Sequence, residues 1–269
     1  MKILLFGKEG QVGWELQRSL SPLGQLLAVG RQEVDMEDLD GVRHCVHQNK
    51  PDIIVNAAAY TAVDKAESEP AKAHRVNAEV VGVLADEARR QKAWLVHFST
   101  DYVFDGEKSS PYEEDDPTCP LSVYGKSKLE SEQLIRKNHT KHLIFRSSWV
   151  YALRGHNFVK TMLRLAREKD ELKIVDDQHG APTSAELIAD VTALAIYRIS
   201  RVSDEENFAG IYHLVAGGET SWHGFAQYVL ELAQAMGVEL KTRAEEVQSI
   251  PTSAYPLPAR RPRNSRLNT

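Results

Sequence analysis

The feature that most constrains this chain is a series of three glycines directly after its first apolar segment. Residues 3–6 are apolar, and Gly7, Gly10 and Gly13 follow at three-residue spacing, before a stretch with apolar residues at helical spacing. This order of strand, glycine turn and helix is typical of dinucleotide folds, in which the backbone approaches a pyrophosphate and the helix N-terminus receives its charge. The pattern predicts a nucleotide site at these glycines. A tight turn without a ligand is the alternative.

The chain then alternates between short apolar runs and amphipathic segments of helical length. The apolar runs cover residues 3–6, 26–29, 53–59, 95–98 and 143–145, and the amphipathic segments cover residues 11–20, 39–48, 76–91 and 123–136. Continuous apolar strands separated by helices are typical of a parallel sheet that is covered on both faces. The sequence therefore predicts an α/β fold with a Rossmann-type doubly wound parallel sheet.

The pattern changes modestly after about residue 150. Strand signals become isolated, at 173–175 and 212–216, and helical stretches lie at 158–168, 185–199 and 222–236. We therefore predict a dinucleotide-binding Rossmann domain over residues 1–150. Residues 151–269 are predicted to form mainly a smaller substrate-binding lobe, interleaved with the first domain. The proline- and arginine-rich segment 250–269 is predicted to be an ordered loop and not a helix.

Charge and hydropathy argue against two classes of partner. The chain has 33 Lys and Arg against 38 Asp and Glu, a net charge of −5, so it lacks the basic excess that nucleic-acid binding needs. No apolar run approaches the roughly 18 residues of a membrane span, and the apolar start is too short for a signal peptide. The two cysteines, Cys45 and Cys119, offer no disulfide framework. We expect a cytoplasmic protein that binds neither nucleic acid nor membrane.

The residues after the second predicted strand bear on the choice of nicotinamide cofactor. In dinucleotide folds an acidic residue here binds the ribose 2′-hydroxyl, and a basic residue accepts a 2′-phosphate. Arg31 follows the strand, and Glu33 and Asp35 come shortly after it. The positive charge of Arg31 favours NADPH. The carboxylates of Glu33 and Asp35 leave NADH as an alternative cofactor. A solvated loop charge is the alternative interpretation of Arg31.

Candidate catalytic residues lie at the end of the fourth predicted strand and at the start of the helix after it. Thr100 stands where the apolar run turns polar, at the sheet edge where open parallel sheets bind ligands. Tyr124 and Lys128 are four residues apart and share a helix face, whereas Lys126 points elsewhere. A phenol with a pKa of about 10 needs a nearby cation to act at neutral pH. Lys128 is therefore predicted to lower the pKa of Tyr124.

Two sets of motifs resemble known proteins. Gly7-x-x-Gly10-x-x-Gly13, Asn56-Ala-Ala-Ala59-Tyr-Thr61, Ser99-Thr100-Asp101-Tyr102-Val-Phe and Tyr124-x-x-x-Lys128 together resemble the extended short-chain dehydrogenase/reductase superfamily. Within it, Thr61-Ala-Val-Asp64-Lys-Ala-Glu67, Phe145-Arg146-Ser-Ser-Trp149-Val-Tyr151, Asp177-Gln178-x-Gly180-Ala-Pro182-Thr183 and Ala259-Arg260-Arg261-Pro262-x-Asn264-Ser265 closely resemble the dTDP-4-dehydrorhamnose reductase family. The resemblance runs over the whole chain.

The resemblance implies reduction of the 4-keto group of dTDP-4-dehydro-β-L-rhamnose with NADPH, to give dTDP-L-rhamnose for surface polysaccharide. Tyr124 would protonate the carbonyl oxygen, Lys128 would tune Tyr124, and Thr100 would hydrogen-bond the same oxygen. Asp101 and Trp149 match positions that contact the sugar. The positions that match cofactor contacts are Gly10, Gln11, Val12, Asp35, Met36, Ala59, Tyr60 and Thr61, with Tyr124 and Lys128.

The resemblance also has implications for magnesium binding, for dimerisation and for the C-terminus of the chain. Some relatives bind magnesium through glutamates at a dimer contact, and Glu15 and Glu186 fall at matching positions. A third acidic ligand is not evident, so magnesium and a homodimer are hypotheses only. Relatives usually continue into a terminal helix where this chain stops at Thr269, so a truncated C-terminus is one expectation.

Two other functions remain as alternatives. The first is a nucleotide-sugar dehydratase or 4-epimerase on the same fold. A dehydratase needs an extra acid and base, typically Asp-Glu after the Ser or Thr, whereas here Tyr102 follows Asp101. An epimerase keeps its nicotinamide bound and consumes no NADPH. The second is a non-catalytic nucleotide-binding regulatory subunit, and the intact Thr100, Tyr124 and Lys128 count against it.

Overall fold

A six-stranded parallel sheet forms the centre of the computed structural model, which describes residues 1–139, 141–201 and 208–269. The strands are β1 (Lys2–Phe6), β2 (Gln25–Val29), β3 (Ile53–Asn56), β4 (Trp94–Thr100), β5 (His142–Ser147), β6 (Val150–Tyr151), β7 (Lys173–Val175), β8 (His179–Gly180), β9 (Thr183–Ser184), β10 (Gly210–His213), β11 (Thr220–Ser221) and β12 (Gln248–Ile250). The α-helices are α1 (Gln11–Leu20), α2 (Leu39–Asn49), α3 (Val63–Ala66), α4 (Pro70–His74), α5 (Val80–Gln91), α6 (Val123–Asn138), α7 (Phe158–Glu168), α8 (Ala185–Ile199) and α9 (Trp222–Ala235).

The strand order of the central sheet is β10-β5-β4-β3-β1-β2, and all neighbours are parallel. The chain leaves β1 to add β2 on one side, and it then returns to add β3 on the other. Open parallel sheets bind ligands at such a reversal, beyond the carboxyl ends of the strands. The predicted Rossmann-type doubly wound α/β fold is confirmed, and its topology directs attention to the loops after β1, β2 and β3.

Alternate side chains of β1 enter two different hydrophobic cores. Ile3 and Leu5 pack with apolar residues of α1 and α8 on one face of the sheet. Leu4 and Phe6 pack with residues of α2 and α5 on the other face. Because helices cover both faces, the buried strands carry apolar residues at successive positions and not at alternate ones.

The second half of the chain contributes to two layers. Helix α8 packs against α1, and β10 pairs with β5 at the edge of the central sheet. Helices α7 and α9 form a separate core with residues near the paired strands β7 and β12. The chain after residue 150 therefore completes the central sheet and one of its helical layers, and it also builds a smaller lobe. A boundary between residues 150 and 151 stays a prediction.

Two predicted elements differ from their observed bounds. Strand β3 ends at Asn56 and not at residue 59, because the Asn56 side chain turns back to accept a hydrogen bond from the amide of Ala58 (3.1 Å). The helix predicted at 76–91 is preceded by α4, and a π-helical turn, Arg75–Glu79, joins α4 to α5. Such turns are rare and occur often at functional sites.

The C-terminal segment lies against the loop that follows β4. Leu267 forms a bridge with Tyr112, and Asn264 forms one with His179. The segment therefore agrees with the predicted ordered loop. Among the helices of the described residues, none has the length and apolarity needed to cross a membrane.

Candidate active site

The turn after β1 needs glycine for steric reasons. Gly7 has a φ of +85°, and a Cβ atom there would lie 2.6 Å from the amide nitrogen of Ala58. A Cβ atom at Gly13 would lie 2.0 Å from the carbonyl oxygen of Gly7. These two glycines let α1 pack closely against the turn and against the end of β3.

Helix α1 begins without a side-chain cap, unlike α2, α6, α7, α8 and α9. Its N-cap residue, Gly10, has no side chain to accept a hydrogen bond. The corresponding caps of α2, α6, α7, α8 and α9 are Asp38, Ser122, Asn157, Ser184 and Ser221. The first amides of α1 therefore remain available, and they carry the positive end of the helix dipole. This arrangement fits a pyrophosphate group.

A pocket of about 180 Å³ lies between the glycine turn and the end of β2. Five of the predicted cofactor residues line it, namely Gly7, Gly10, Arg31, Met36 and Ala59. The lining does not include Gln11, Val12, Gly13, Asp35, Tyr60 or Thr61. The structure therefore brings together residues from the loops after β1, β2 and β3, as the topology requires for a dinucleotide.

Two predicted cofactor residues outside the pocket lining are held by hydrogen bonds. The side chain of Gln11 accepts a hydrogen bond from Asn157 (2.9 Å). The amide of Tyr60 donates to the buried side chain of Asn77 (2.8 Å), which donates in return to the Tyr60 carbonyl (3.0 Å). These contacts fix the loops beside the pocket.

Two carboxylates lie close to Arg31 at the end of β2. Glu33 accepts a hydrogen bond from the amide of Gly30 (2.8 Å) and pairs with Lys8 (2.5 Å), and both contacts lower the pKa of Glu33. Glu9 lies against Gly30, with a carboxylate oxygen 1.9 Å from the position that a Cβ atom on this glycine would take. Sequence reasoning noted Glu33 but missed Glu9 and Lys8, because the approach of the two loops is a tertiary feature.

Thr100 and Asp101 lie at the C-terminal edge of β4. The Thr100 hydroxyl donates to Asp101 (3.0 Å) while no substrate is bound, and Ser265 of the C-terminal segment also hydrogen-bonds this carboxylate. Asp101 is buried, and its second carboxylate oxygen has no partner among the described residues. Burial raises the pKa of Asp101 to about 6, against the opposing effect of its hydrogen bonds.

Tyr124 lies in the first turn of α6 and is hydrogen-bonded to Thr100. Burial, followed by the charge of Asp101, raises the pKa of Tyr124 to about 12, and the hydrogen bond with Thr100 acts in the opposite direction. The lowering expected from Lys128 is therefore not seen in this structure. The Tyr102 ring packs edge-on against Tyr124, with 5.6 Å between ring centroids.

Lys128 is buried one turn after Tyr124, whereas Lys126 is exposed, as the four-residue spacing predicts. The Lys128 ammonium donates to the carbonyl of Phe98 (2.6 Å) and lies 3.1 Å from Nε2 of the buried His97. Burial lowers the pKa of Lys128 to about 8, although the charge of Glu132 opposes this effect. Lys128 thus turns towards β4, which explains why it does not lower the pKa of Tyr124 here.

Trp149 follows β5 at the same edge of the sheet. In the register between β4 and β5, Thr100 lies opposite Ser147, two residues before Trp149. Trp149 has a φ of +48°, and its ring stacks on Trp222 with 3.6 Å between centroids. The structure therefore places this predicted sugar contact just beyond the end of β5, the strand that neighbours the one carrying Thr100.

The magnesium hypothesis gains no support. Glu15 of α1 approaches Arg18 (3.6 Å), and Glu186 is exposed in the first turn of α8, the helix that packs against α1. No group of three or more His, Cys, Asp or Glu side chains that could hold a metal ion occurs among the described residues. Two glutamates on neighbouring helices do not by themselves form a metal site.

Sequence reasoning also missed residues that hold α6 in place. Glu67 accepts a hydrogen bond from the amide of Val123 at the start of α6 (2.8 Å). Asn77, in the π-helical turn, donates to Ser127 of α6 (3.0 Å). Glu67 belongs to a motif already recognised, but its acceptor role depends on how two distant segments approach each other. The hydrogen bond from Asn77 to α6 likewise depends on how distant segments approach each other.

The fold and this geometry define the class of protein. A nucleotide turn lies at the reversal of a parallel sheet, and a threonine at a neighbouring strand end is hydrogen-bonded to a tyrosine that precedes a buried lysine by four residues. This combination defines an oxidoreductase of the extended short-chain dehydrogenase/reductase class.

Similarity to known proteins identifies the family within this class. The chain belongs to the RmlD substrate binding domain family, whose model matches residues 1–269. It is 55% identical over 274 residues to a dTDP-4-dehydrorhamnose reductase of Salmonella typhimurium, an alignment that covers 100% of this chain and 90% of the relative. A solved dTDP-4-dehydrorhamnose reductase from Clostridium acetobutylicum is 38% identical with a TM-score of 0.89, and the match covers 100% of this chain and 90% of that one. The Bacillus anthracis enzyme, solved in complex with NADP, is 33% identical with a TM-score of 0.88, covering 99% and 90%.

Proposed function

We propose that this enzyme reduces the 4-keto group of dTDP-4-dehydro-β-L-rhamnose to give dTDP-L-rhamnose, with Tyr124 as the proton donor. The observation that carries this proposal is the half-buried Tyr124 side chain, whose hydroxyl is hydrogen-bonded to Thr100 at the crevice end of β4. The names of the most similar relatives support the choice of substrate. The product would supply rhamnose for surface polysaccharide, in the cytoplasm.

The raised pKa of Tyr124 suits the direction of the reaction. Reduction of a ketone requires an acid that is protonated before hydride arrives. With a pKa of about 12, the phenol carries its proton throughout the neutral range. Thr100 can donate a hydrogen bond to the same carbonyl oxygen, so that the negative charge that develops on this oxygen meets two donors.

Lys128 provides the cation that Tyr124 needs after it has given up its proton. Its ammonium is one helical turn from Tyr124 and is bonded to the carbonyl of Phe98. A small rotation of the long side chain would bring this charge to the phenolate, where it favours the ionised form. His97 is neutral because burial and the nearby Lys128 lower its pKa, so it does not compete with that charge.

The glycine turn, the uncapped start of α1 and the pocket beside Arg31 fit a nicotinamide dinucleotide. Such a cofactor, when bound, supplies the hydride. In the proposal the backbone amides of Gln11 and Val12 hold the pyrophosphate, which lies against Gly10, and Arg31 binds the 2′-phosphate of NADPH. Bound NADP in the Bacillus anthracis relative supports this choice. Glu9 and Glu33 favour some use of NADH, because carboxylates accept a hydrogen bond from a 2′-hydroxyl.

Cofactor choice can be tested with Arg31→Asp. We expect the NADPH-to-NADH affinity ratio to fall by about tenfold or more, because a carboxylate repels a 2′-phosphate. The measurement is the dissociation constant of each reduced cofactor by quenching of tryptophan fluorescence. Arg43→Asp, on the exposed face of α2, is the matched control. An unchanged ratio in Arg31→Asp would remove Arg31 from the cofactor site.

The function itself is tested by spectrophotometric oxidation of NADPH in the presence of dTDP- and UDP-linked 4-keto sugars. We expect stoichiometric oxidation of NADPH with the dTDP-linked 4-keto-6-deoxy sugar and formation of its 4-hydroxy product. Conversion of a sugar without net NADPH consumption would indicate an epimerase or dehydratase instead. Binding of nucleotides without any conversion would favour the regulatory subunit.

A further inference from the structure

Trp149 has a backbone conformation that its side chain does not favour. Its φ of +48° lies in the left-handed region, where a bulky residue is a steric outlier. Such residues persist only where the surrounding structure holds them, and they concentrate at ligand-binding and active sites. Some neighbouring groups must therefore compensate for the strain at this strand end.

Two groups hold the indole of Trp149 directly. The Trp222 ring stacks on it nearly face to face, with 3.6 Å between centroids and 12° between planes. The backbone at Gly180 forms a second boundary, since a Cβ atom there would lie 2.7 Å from Cε2 and 3.0 Å from Nε1 of Trp149. The indole cannot move towards Gly180, and it cannot tilt without losing the stack.

Trp222 is itself held firmly, at the start of α9. Ser221, which caps this helix, also donates a hydrogen bond to Asp176. Phe158 of α7 packs against Trp222, with 4.5 Å between ring centroids. The stacked pair therefore connects the end of β5, in the central sheet, to the α7 and α9 layer of the smaller lobe.

The position of Trp149 relates this contact to the reaction. The indole N–H makes no hydrogen bond to any described residue and remains available to a ligand. Gly180 follows His179, whose carbonyl accepts the amide of Ser265, and Ser265 hydrogen-bonds Asp101. A continuous set of contacts thus joins Trp149 to the carboxylate beside Thr100.

We propose that Trp222 is a positioning residue: it fixes the orientation of the strained Trp149 so that the indole contacts a hydroxyl-bearing sugar ring next to Thr100. The inference rests on the proposed function, because it assigns the sugar to the crevice at the end of β4. Trp222 touches neither the sugar nor the cofactor in this proposal. It acts through the stack alone, and its loss weakens sugar binding while the nucleotide turn is unaffected.

The test compares two substitutions in the full-length enzyme. Trp222→Leu keeps an apolar side chain but removes the flat ring, and Trp222→Phe restores a ring that can stack. We expect Trp222→Leu to raise KM for the dTDP-linked 4-keto sugar by about tenfold, with the NADPH dissociation constant unchanged, and Trp222→Phe to recover most of this loss. The stacked pair should also give an exciton-coupled circular dichroism signal that disappears in Trp222→Leu and in Trp149→Leu.

Tyr228→Leu is the matched control, because it removes an exposed ring from the same helix and leaves the stack of Trp222 with Trp149 in place. We expect its KM to stay near the parental value. A parental KM in Trp222→Leu, an equal defect in Trp222→Phe and Trp222→Leu, or no exciton signal in the parent overturns this inference alone. Failure of the parent enzyme to reduce any 4-keto sugar overturns the proposed function and this inference together.

Discussion

At the residue scale, burial sets the protonation states at the site. Tyr124 and Asp101 are held towards their neutral forms, with pKa values of about 12 and about 6, and Lys128 is close to losing its charge, with a pKa of about 8. All three shifts have desolvation as their largest cause. In the proposed function the protonated Tyr124 donates its proton, and the charge of Lys128 is needed only once Tyr124 becomes negative.

Tyr124→Phe removes only the proposed proton donor. We expect kcat to fall by about 10² to 10⁴, the range typical of general acid catalysis, while NADPH affinity changes little. Steady-state kinetics and cofactor titration measure the two effects. Tyr197→Phe, on the exposed surface of α8, is the control. A variant that retains most of its kcat would exclude Tyr124 as the acid.

The two lysines of α6 provide an internal comparison. Lys128→Ala should be severely impaired, because it loses the charge that stabilises the phenolate, while Lys126→Ala should retain near-parental activity, because its side chain is exposed. The kcat/KM values of both variants are measured with the same substrate. The assignment fails if removal of Lys126 proves the more damaging change.

At the element scale, the start of α1 determines how closely the chain can approach a pyrophosphate. The helix has no side-chain cap, and its third residue, Gly13, packs against the carbonyl of Gly7. A side chain on this face would push the helix away from the turn. The same close contact therefore affects both the stability of the fold and the nucleotide site.

Gly13→Ala tests this contact. An added methyl group 2.0 Å from the Gly7 carbonyl cannot be accommodated without movement, so we expect a loss of about 1–3 kcal/mol in the free energy of unfolding and much weaker NADPH binding. Urea denaturation and cofactor titration measure these effects. In Gly217→Ala the new Cβ atom would have no neighbour within 4 Å, so this variant should match the parent in both measurements. Parental behaviour of Gly13→Ala would contradict the packing argument.

Sequence periodicity predicted most elements but few of the contacts between them. The bounds predicted for α1, α7 and α8 agree with the structure, because each has a clear amphipathic pattern. The π-helical turn before α5 was missed, since one inserted residue hardly changes that pattern. The four-residue spacing predicted that Lys128, and not Lys126, shares a helix face with Tyr124. It could not predict that Lys128 turns towards Phe98 and His97, which depends on the packing of α6 on β4.

At the scale of the whole molecule, a buried ion pair connects α6 to the central sheet. Glu132 accepts two hydrogen bonds from Arg146 of β5 (2.9 and 2.7 Å) and a third from Ser99 of β4. Both members of the pair are buried. Because Tyr124 and Lys128 lie on α6, these bonds also hold this helix in place against the strand that carries Thr100.

Glu132→Gln would leave Arg146 buried without a counter-ion. We expect the free energy of unfolding to fall by about 3–5 kcal/mol, as measured by urea denaturation. Glu168→Gln, which breaks the exposed pair with Arg164, should cost no more than about 1 kcal/mol. Similar losses in the two variants would show that burial does not govern the strength of these pairs.

The edge position of β10 has a consequence for how the protein is made. Strand β10 pairs with β5, and α8 covers the face of α1, yet both come from the second half of the chain. While the ribosome is still translating that half, β5 has an open edge and α1 an uncovered apolar face. Such surfaces invite association with other unfinished chains. Both surfaces therefore stay uncovered until about residue 213 has been translated, and a gene cut near codon 150 would separate α8 and β10 from the elements against which they pack.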